Sequence, residues 1–271
     1  MKNLMRLDSR TTRKGTKLDL FQFFYLSFSL YLILLMNLIP PTVPKLTFAS
    51  INCNSLNMSE QATIHHLIKV YGVVKLKTDI IFLSDIRLCN SRGVSNTLKI
   101  ENSFLTNPYC SYRFLYQSGS NKRGFGILIK QNLNLTVLQE ERDPEDNFLA
   151  LRVSSGEKEI IIGSVYGPNI HCPAFFDNLY ASLSRLGNLP TIIGGDWNCT
   201  FSALPIPDNP DIINMRSLPN KRHTDLLIEL CIKLELTDPF RVKFPVRREF
   251  SYTPSDPLKR NRSRIDFFFD K

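Results

Sequence analysis

Ile192-Ile193-Gly194-Gly195-Asp196-Trp197-Asn198 is the stretch on which the reading of this chain turns. Two β-branched apolar residues bring a buried strand to its end, and two glycines let the backbone turn tightly. Asp196 and Asn198 follow two positions apart on an extended stretch, where residues i and i+2 face the same way. Asp supplies charge and Asn a neutral donor and acceptor, which suits a phosphate flanked by a cation or a nucleophilic water. The same letters also suit an Asx-rich turn that only closes a strand.

Four further segments repeat the pattern of an apolar run with a polar end. Leu46 to Ile51 runs into Asn52, with Asn54 and Asn57 behind it. Asp79 to Leu83 runs into Ser84-Asp85, and Ile160 to Val165 runs into Tyr166-Gly167-Pro168-Asn169. Near the C-terminus Arg262-Ser263-Arg264-Ile265-Asp266 precedes Phe267-Phe268-Phe269. Each cluster alone fits a capped strand end. Together they point to one shared site along one edge of a sheet or sandwich.

In this order, from about Lys45 to the last residue, the motifs resemble the endonuclease/exonuclease/phosphatase superfamily. The likeness is strongest to the endonuclease domain of LINE-type (non-LTR) retrotransposons, whose cousins are exonuclease III and the apurinic/apyrimidinic endonucleases. The resemblance implies an α/β fold for residues 45–271, a four-layer sandwich of two packed, mainly antiparallel sheets flanked by helices. It implies phosphodiester hydrolysis in DNA with Mg2+ or Mn2+ as cofactor. Asp85, helped by Asn52, would hold the metal. Tyr166 would contact the phosphate, Asp196 would orient or deprotonate the attacking water, and Asn198 would brace the scissile phosphate. Ser251, in Phe250-Ser251-Tyr252-Thr253, and Asp266 would support that network.

Two departures qualify the expectation. Asp85 stands in Ser84-Asp85-Ile86-Arg87 where the family carries Gln-Glu-Thr-His, so the charge is kept but the reach is shorter by one methylene. Family members also close with a Ser-Asp-His motif on a final strand. Here Asp270-Lys271 comes soon after Arg264-Ile265-Asp266, and His65, His66, His171 and His223 stand in other contexts. The expectation is therefore a sandwich with its C-terminal strand missing, weak or no nuclease activity, and a piece of a longer polyprotein with a reverse transcriptase downstream. The alternatives are a catalytically silent nucleic-acid-binding or membrane-tethered relic, or a superfamily phosphatase acting on phosphoinositide or sphingomyelin substrates.

Composition agrees with one large domain: the chain has 271 residues, 43% of them hydrophobic. The net charge is +9, from 34 Lys+Arg against 25 Asp+Glu. A mild basic excess is compatible with a polyanionic partner without identifying one. Candidate DNA-backbone contacts are Lys122-Arg123, Arg247-Arg248, and Lys259-Arg260 with Arg262, although each pair alone also suits a solvated loop. The six cysteines are scattered, with no C-x-x-C pair, which argues against zinc and reads as reduced thiols. By family the chain is expected in the nucleus or cytoplasm.

The N-terminus is a different object. Residues 1–20 are basic, and Phe21 to Ile39 carries no charge before Pro40-Pro41. Length and flanks describe a transmembrane helix or signal-anchor, but such an anchor would translocate the domain away from DNA. The competing reading is translated leader upstream of a mobile-element frame. Further along, His65-His66 falls in an expected helix. Gly124 to Ile129 and Leu133 to Val137 are expected as one pair of adjacent strands, and Phe148 to Val153 with Glu159 to Val165 as another. Ala174 to Leu186 and Thr224 to Leu234 have helical periodicity.

Overall fold

In the computed structural model, the described residues are 46–56, 78–88, 100–102, 104–106, 111–118, 123–202, 204, 208–215, 220–254, 256, 258 and 260–271. The expectations for residues 1–20 and 21–39, the helix around His65-His66, and Lys122 and Lys259 lie outside them. Among the described residues no helix is long and apolar enough to cross a membrane.

Two sheets carry the fold. The first has the order β1-β2-β4-β3, built from Phe48–Asn52, Ile80–Ser84, Phe125–Lys130 and Tyr112–Gln117. The second has the order β11-β8-β7-β6-β5, built from Asp266–Asp270, Thr191–Asp196, Lys158–Tyr166, Phe148–Ser155 and Thr136–Arg142. β1 with β2 and β7 with β8 are parallel, and the remaining neighbours in both sheets are antiparallel. Both sheets are thus mixed and mainly antiparallel. A short ribbon, β9 (Ile212–Ile213) with β10 (Arg262–Ser263), stands beside them.

Alternation along the strands builds the layers. Ile80 and Phe82 of β2 face inward with Phe125, Ile127 and Ile129 of β4, onto Leu149, Leu151 and Ile162 of the second sheet. Ile81 and Leu83 face the opposite way, onto Ile100 and Phe104. On the far side of the second sheet, Phe148, Ala150, Ile193, Phe267 and Phe269 meet two helices. These are α1 (Pro173–Leu186), which presents Phe175, Phe176, Leu179 and Leu183, and α2 (Lys221–Leu234), which presents Leu227, Leu230 and Cys231. Pro173 opens α1, where its missing N–H costs nothing. The chain is the α/β sandwich that the sequence reading expects.

Three local expectations need correction. β4 and β5 are not a pair: β4 lies between β2 and β3 in one sheet, whereas β5 is the edge of the other. Both runs are apolar enough to enter a sheet, and only the inner core decides which one. The Gly194-Gly195 pair makes no turn either, since β8 runs straight through to Asp196. Asn198 has φ 51, so it does not continue an extended stretch with Asp196. Among the described residues β11 is the outermost strand of its sheet, and its outer side carries a bridge from Asp270 to Thr237.

Candidate active site

Sheet register assembles the site. Asp196, the last residue of β8, pairs across the ladder with Tyr166, the last of β7, and with Asp266, the first of the antiparallel β11. Asn52 ends β1 opposite Ser84, with Asp85 following. These strand ends, with Asn54, Asn198, Ser251, Tyr252, Thr253 and Ile265, line one cavity of about 230 Å³. All seven catalytic and metal-site residues expected from the sequence therefore border one space: Asn52, Asp85, Tyr166, Asp196, Asn198, Ser251 and Asp266.

The two glycines of β8 make the close approach. A Cβ on Gly195 would stand 1.9 Å from the Val165 carbonyl oxygen, and one on Gly194 would stand 2.7 Å from the Phe268 ring. Gly195 also has φ +151, a conformation side chains rarely adopt. Their absent side chains let β7 and β11 close on β8, which sets Tyr166, Asp196 and Asp266 side by side.

Asp196 is 4% exposed. Its Oδ2 accepts from Asn52 Nδ2 at 2.8 Å and its Oδ1 from the Asn198 backbone N–H at 2.9 Å. Burial pushes its pKa up to about 6; these two bonds pull it down, and the charge on Asp85 adds to the rise. Asn198 Nδ2 donates to the Gly167 carbonyl at 2.7 Å, tying the loop after β8 to the loop after β7. The tyrosine hydroxyl of Tyr166 is pushed up to about 12, first by burial and then by Asp85 and Asp196. It is a proton donor at neutral pH. Ser251 Oγ accepts from the backbone N–H of Ile265 at 3.0 Å and of Asp266 at 3.1 Å, which fixes the entry into β11.

Asp85 has a partner that sequence reasoning did not assign. Arg87 Nε donates to its Oδ1 and Arg87 NH2 to its Oδ2, both at 2.7 Å. A divalent ion on either oxygen would stand roughly 4 Å from a guanidinium charge, a repulsion on the order of several kcal/mol even with screening. Asn52 Oδ1 accepts the Asn54 N–H at 3.0 Å, which uses one of its two lone pairs. As arranged, the side chains do not fit Mg2+ or Mn2+.

A second unassigned group holds the site from behind. Arg264 is 0% exposed. It donates to Asp211 Oδ1 at 3.2 Å and to Asp238 Oδ2 at 2.5 Å, with its charge over the Phe240 and Phe267 rings. Arg241 also contacts Asp211. Asp238 meanwhile caps α3 (Pro239–Lys243), accepting from Phe240 and Arg241 N–H. The Asp238-Pro239 pair was the readable signal, being a helix start with a charged cap.

The expected DNA-backbone cations are dispersed. Arg123 donates to Asn147 Oδ1 at 2.7 Å, and the Asn147 carbonyl accepts the Tyr166 N–H. Arg247 pairs with Glu249, and Arg248 is exposed. Arg262 lines a neighbouring cavity of about 510 Å³ with Arg260 and Phe250; Thr253 borders both cavities. His223 is structural: buried in α2, it accepts the Cys172 N–H at 2.8 Å through Nε2.

No protein-family model matches the sequence. Solved structures do match. The AP endonuclease LMAP of Leishmania major is 14% identical, with TM-score 0.62 over 83% of this chain and 78% of its own. The 3'-5' exonuclease NExo of Neisseria meningitidis is 17% identical, with TM-score 0.57 over 83% and 86%. The endonuclease domain of TRAS1, a telomere-specific non-LTR retrotransposon, is 15% identical, with TM-score 0.51 over 82% and 83%. With two mixed sheets, flanking helices and a cavity at the strand ends, this chain has the fold of the endonuclease/exonuclease/phosphatase superfamily.

Proposed function

We propose that this cavity recognises a DNA phosphodiester and hydrolyses it, with the endonuclease of a non-LTR retrotransposon as the finer reading. The observation that carries the proposal is the alignment of Tyr166, Asp196 and Asp266 across three paired strands, with Asn52 bound to Asp196. A carboxylate with its pKa near 6 is mostly ionised at neutral pH, yet a stronger base than an ordinary one. Asp196 takes a proton from water while the water oxygen forms the new bond to phosphorus. The P–O bond to the leaving strand breaks and the departing oxygen takes a proton from solvent, while the Tyr166 hydroxyl keeps its proton and donates a hydrogen bond to a non-bridging oxygen; Asp196 then returns its proton to solvent. Support for the retrotransposon reading comes from the spacing of Phe250-Ser251-Tyr252 and Ser263-Arg264-Ile265-Asp266, which resembles that branch, and Ser251 and Tyr252 bond to the Ser263 to Asp266 segment. A dependence on Mg2+ or Mn2+ would require Arg87 to leave Asp85.

One observation favours a second reading, DNA binding without turnover: the same Arg87 grip on both oxygens of Asp85. Nicking of supercoiled plasmid by the full chain and by Asp196→Ala, each in Mg2+ and in EDTA, separates the two. Hydrolysis predicts nicking that falls by about 100-fold or more in the variant, the scale of a lost general base. Equal nicking by both proteins would refute the role of Asp196. No nicking by either would leave the binding reading.

A further inference from the structure

We propose that Arg87 is the resident cation of this site and lets the cavity hold a DNA phosphodiester without a divalent ion. This rests on reading the cavity as a phosphodiester site. Asp85 and Arg87 meet fork to fork, two parallel bonds of 2.7 Å, the strongest form of charge-assisted pairing. The Asp85 side chain is 4% exposed and that of Arg87 36%, so the cation stands on the open side of the pair. A guanidinium has five N–H donors. Two serve Asp85 and one can serve the neighbouring Tyr166 hydroxyl, which leaves donors for phosphate oxygens.

The backbone commits the pair to this place. Asp85 and Arg87 have φ 54 and φ 50, left-handed values that cost bulky residues strain unless the surroundings impose them. Here they do. Ser55 N donates to the Asp85 carbonyl at 2.8 Å, Ile86 N to Gly124 O at 3.1 Å, and Arg87 N to Arg123 O at 2.9 Å. The segment is pinned on both flanks, so the ion pair is a built feature: Asp85 lines the cavity, and Arg87 stands behind it beside Tyr166. Its electrostatic consequence is direct. Asp85 alone would repel a phosphodiester anion, whereas the neutral pair does not and still offers donors. The same positive charge that welcomes the phosphate opposes a dication at Asp85.

The test uses the full chain and a fluorescein-labelled DNA duplex followed by anisotropy, in EDTA and in Mg2+ at matched ionic strength. Mn2+ uptake is read separately from the electron paramagnetic resonance signal of free Mn2+. The wild type is expected to bind the duplex with affinities within about twofold in the two conditions, once salt is matched, and to leave the Mn2+ signal unchanged. Arg87→Ala should lose about tenfold or more in EDTA, the scale of a charge-assisted bond. It should recover part of that loss in Mg2+ and take up Mn2+. Arg87→Lys, which keeps the charge and loses the fork, should fall between.

Wild-type binding that needs Mg2+, or Mn2+ uptake abolished by Asp85→Asn, would overturn the proposal and leave the phosphodiester reading standing. Arg87→Ala binding in EDTA as tightly as the wild type would do the same. No binding in either condition would overturn both. Should Arg87→Ala not fold, the wild-type Mn2+ titration decides.

Discussion

Replacing Arg264 by Met tests whether a buried charge network holds the site in place. The side chain is fully buried between Asp211 and Asp238, and Met fills similar length with no charge. Removing one partner of a buried pair costs about 3–5 kcal/mol, because it strands the other charge. Asp211 keeps Arg241 and the Ser202 N–H, and Asp238 keeps the two backbone donors of its helix cap. Those remaining partners place the expected loss near the lower bound, about 3 kcal/mol. At a urea slope of about 3 kcal/mol per M, the unfolding midpoint falls by about 1 M. The single tryptophan, Trp197, is 1% exposed and packs edge-on against Phe269 at 5.2 Å, so its fluorescence reports the transition.

The loss should depend on pH in a defined direction. Burial raises the pKa of Asp238, and Arg264 is the first influence that lowers it. Without Arg264 the folded value climbs further above the unfolded one. An acid raised in the folded state binds its proton more tightly there, so it favours folding at low pH and loses that contribution as pH rises through the folded value. The penalty of Arg264→Met is therefore larger at pH 7 than at pH 5, and smaller in an Asp238→Asn background, where no charge is stranded. A penalty under about 1 kcal/mol, an ordinary value for a point change, would refute the reasoning. So would equal penalties at both pH values and in both backgrounds.

Two further outcomes follow from the geometry. If Asp196 works as a carboxylate, hydrolysis rises with pH through about 6; Asn52→Ala removes a bond that stabilises the ionised form, so the midpoint of its pH–rate limb moves upward, and an unmoved midpoint would sink the assignment. Gly195→Ala sets a Cβ 1.9 Å from the Val165 oxygen at φ +151, and is expected to cost more than about 4 kcal/mol or to prevent soluble expression. Gly156→Ala, at φ +65 with nothing within 4 Å, should cost only about 1–2 kcal/mol and serves as the control for backbone strain alone.

Part of the site could be read in advance because Asn52, Asp85, Tyr166 and Asp196 each stand at the end of an apolar run, a local property, whereas Ser251 and Asp266 rested on the resemblance. Asn52, Tyr166 and Asp196 were placed at one edge by the apolar runs that lead into them. The helices α1 and α2 emerged from their helical periodicity, and β6 and β7 were expected as a pair of adjacent strands. Gly194-Gly195 misled for a physical reason. A glycine pair signals either a turn or a close approach, and the choice depends on Val165, Phe82 and Phe268, none of which is a chain neighbour. The expected pairing of β4 with β5 failed similarly, since the packing of the inner core, not either run alone, sorts them into different sheets.

The charges resisted reading for a deeper reason. A carboxylate near a phosphate has a meaning set by its partner. Arg264 finds Asp211 and Asp238 across 53 and 26 residues, so no window of sequence contains that network. Arg87 is only two positions from Asp85, yet their pairing depends on two left-handed residues pinned from Ser55 and from the loop before β4. Had Asp85 stood alone, its burial beside Asp196 would set two anions toward an anionic substrate, an arrangement that needs a cation to be stable. The chain supplies that cation itself. The shorter acidic side chain at this position is then no defect in reach: drawn back by one methylene, the carboxylate meets a guanidinium anchored on its own strand-end loop, and the pair closes as a unit.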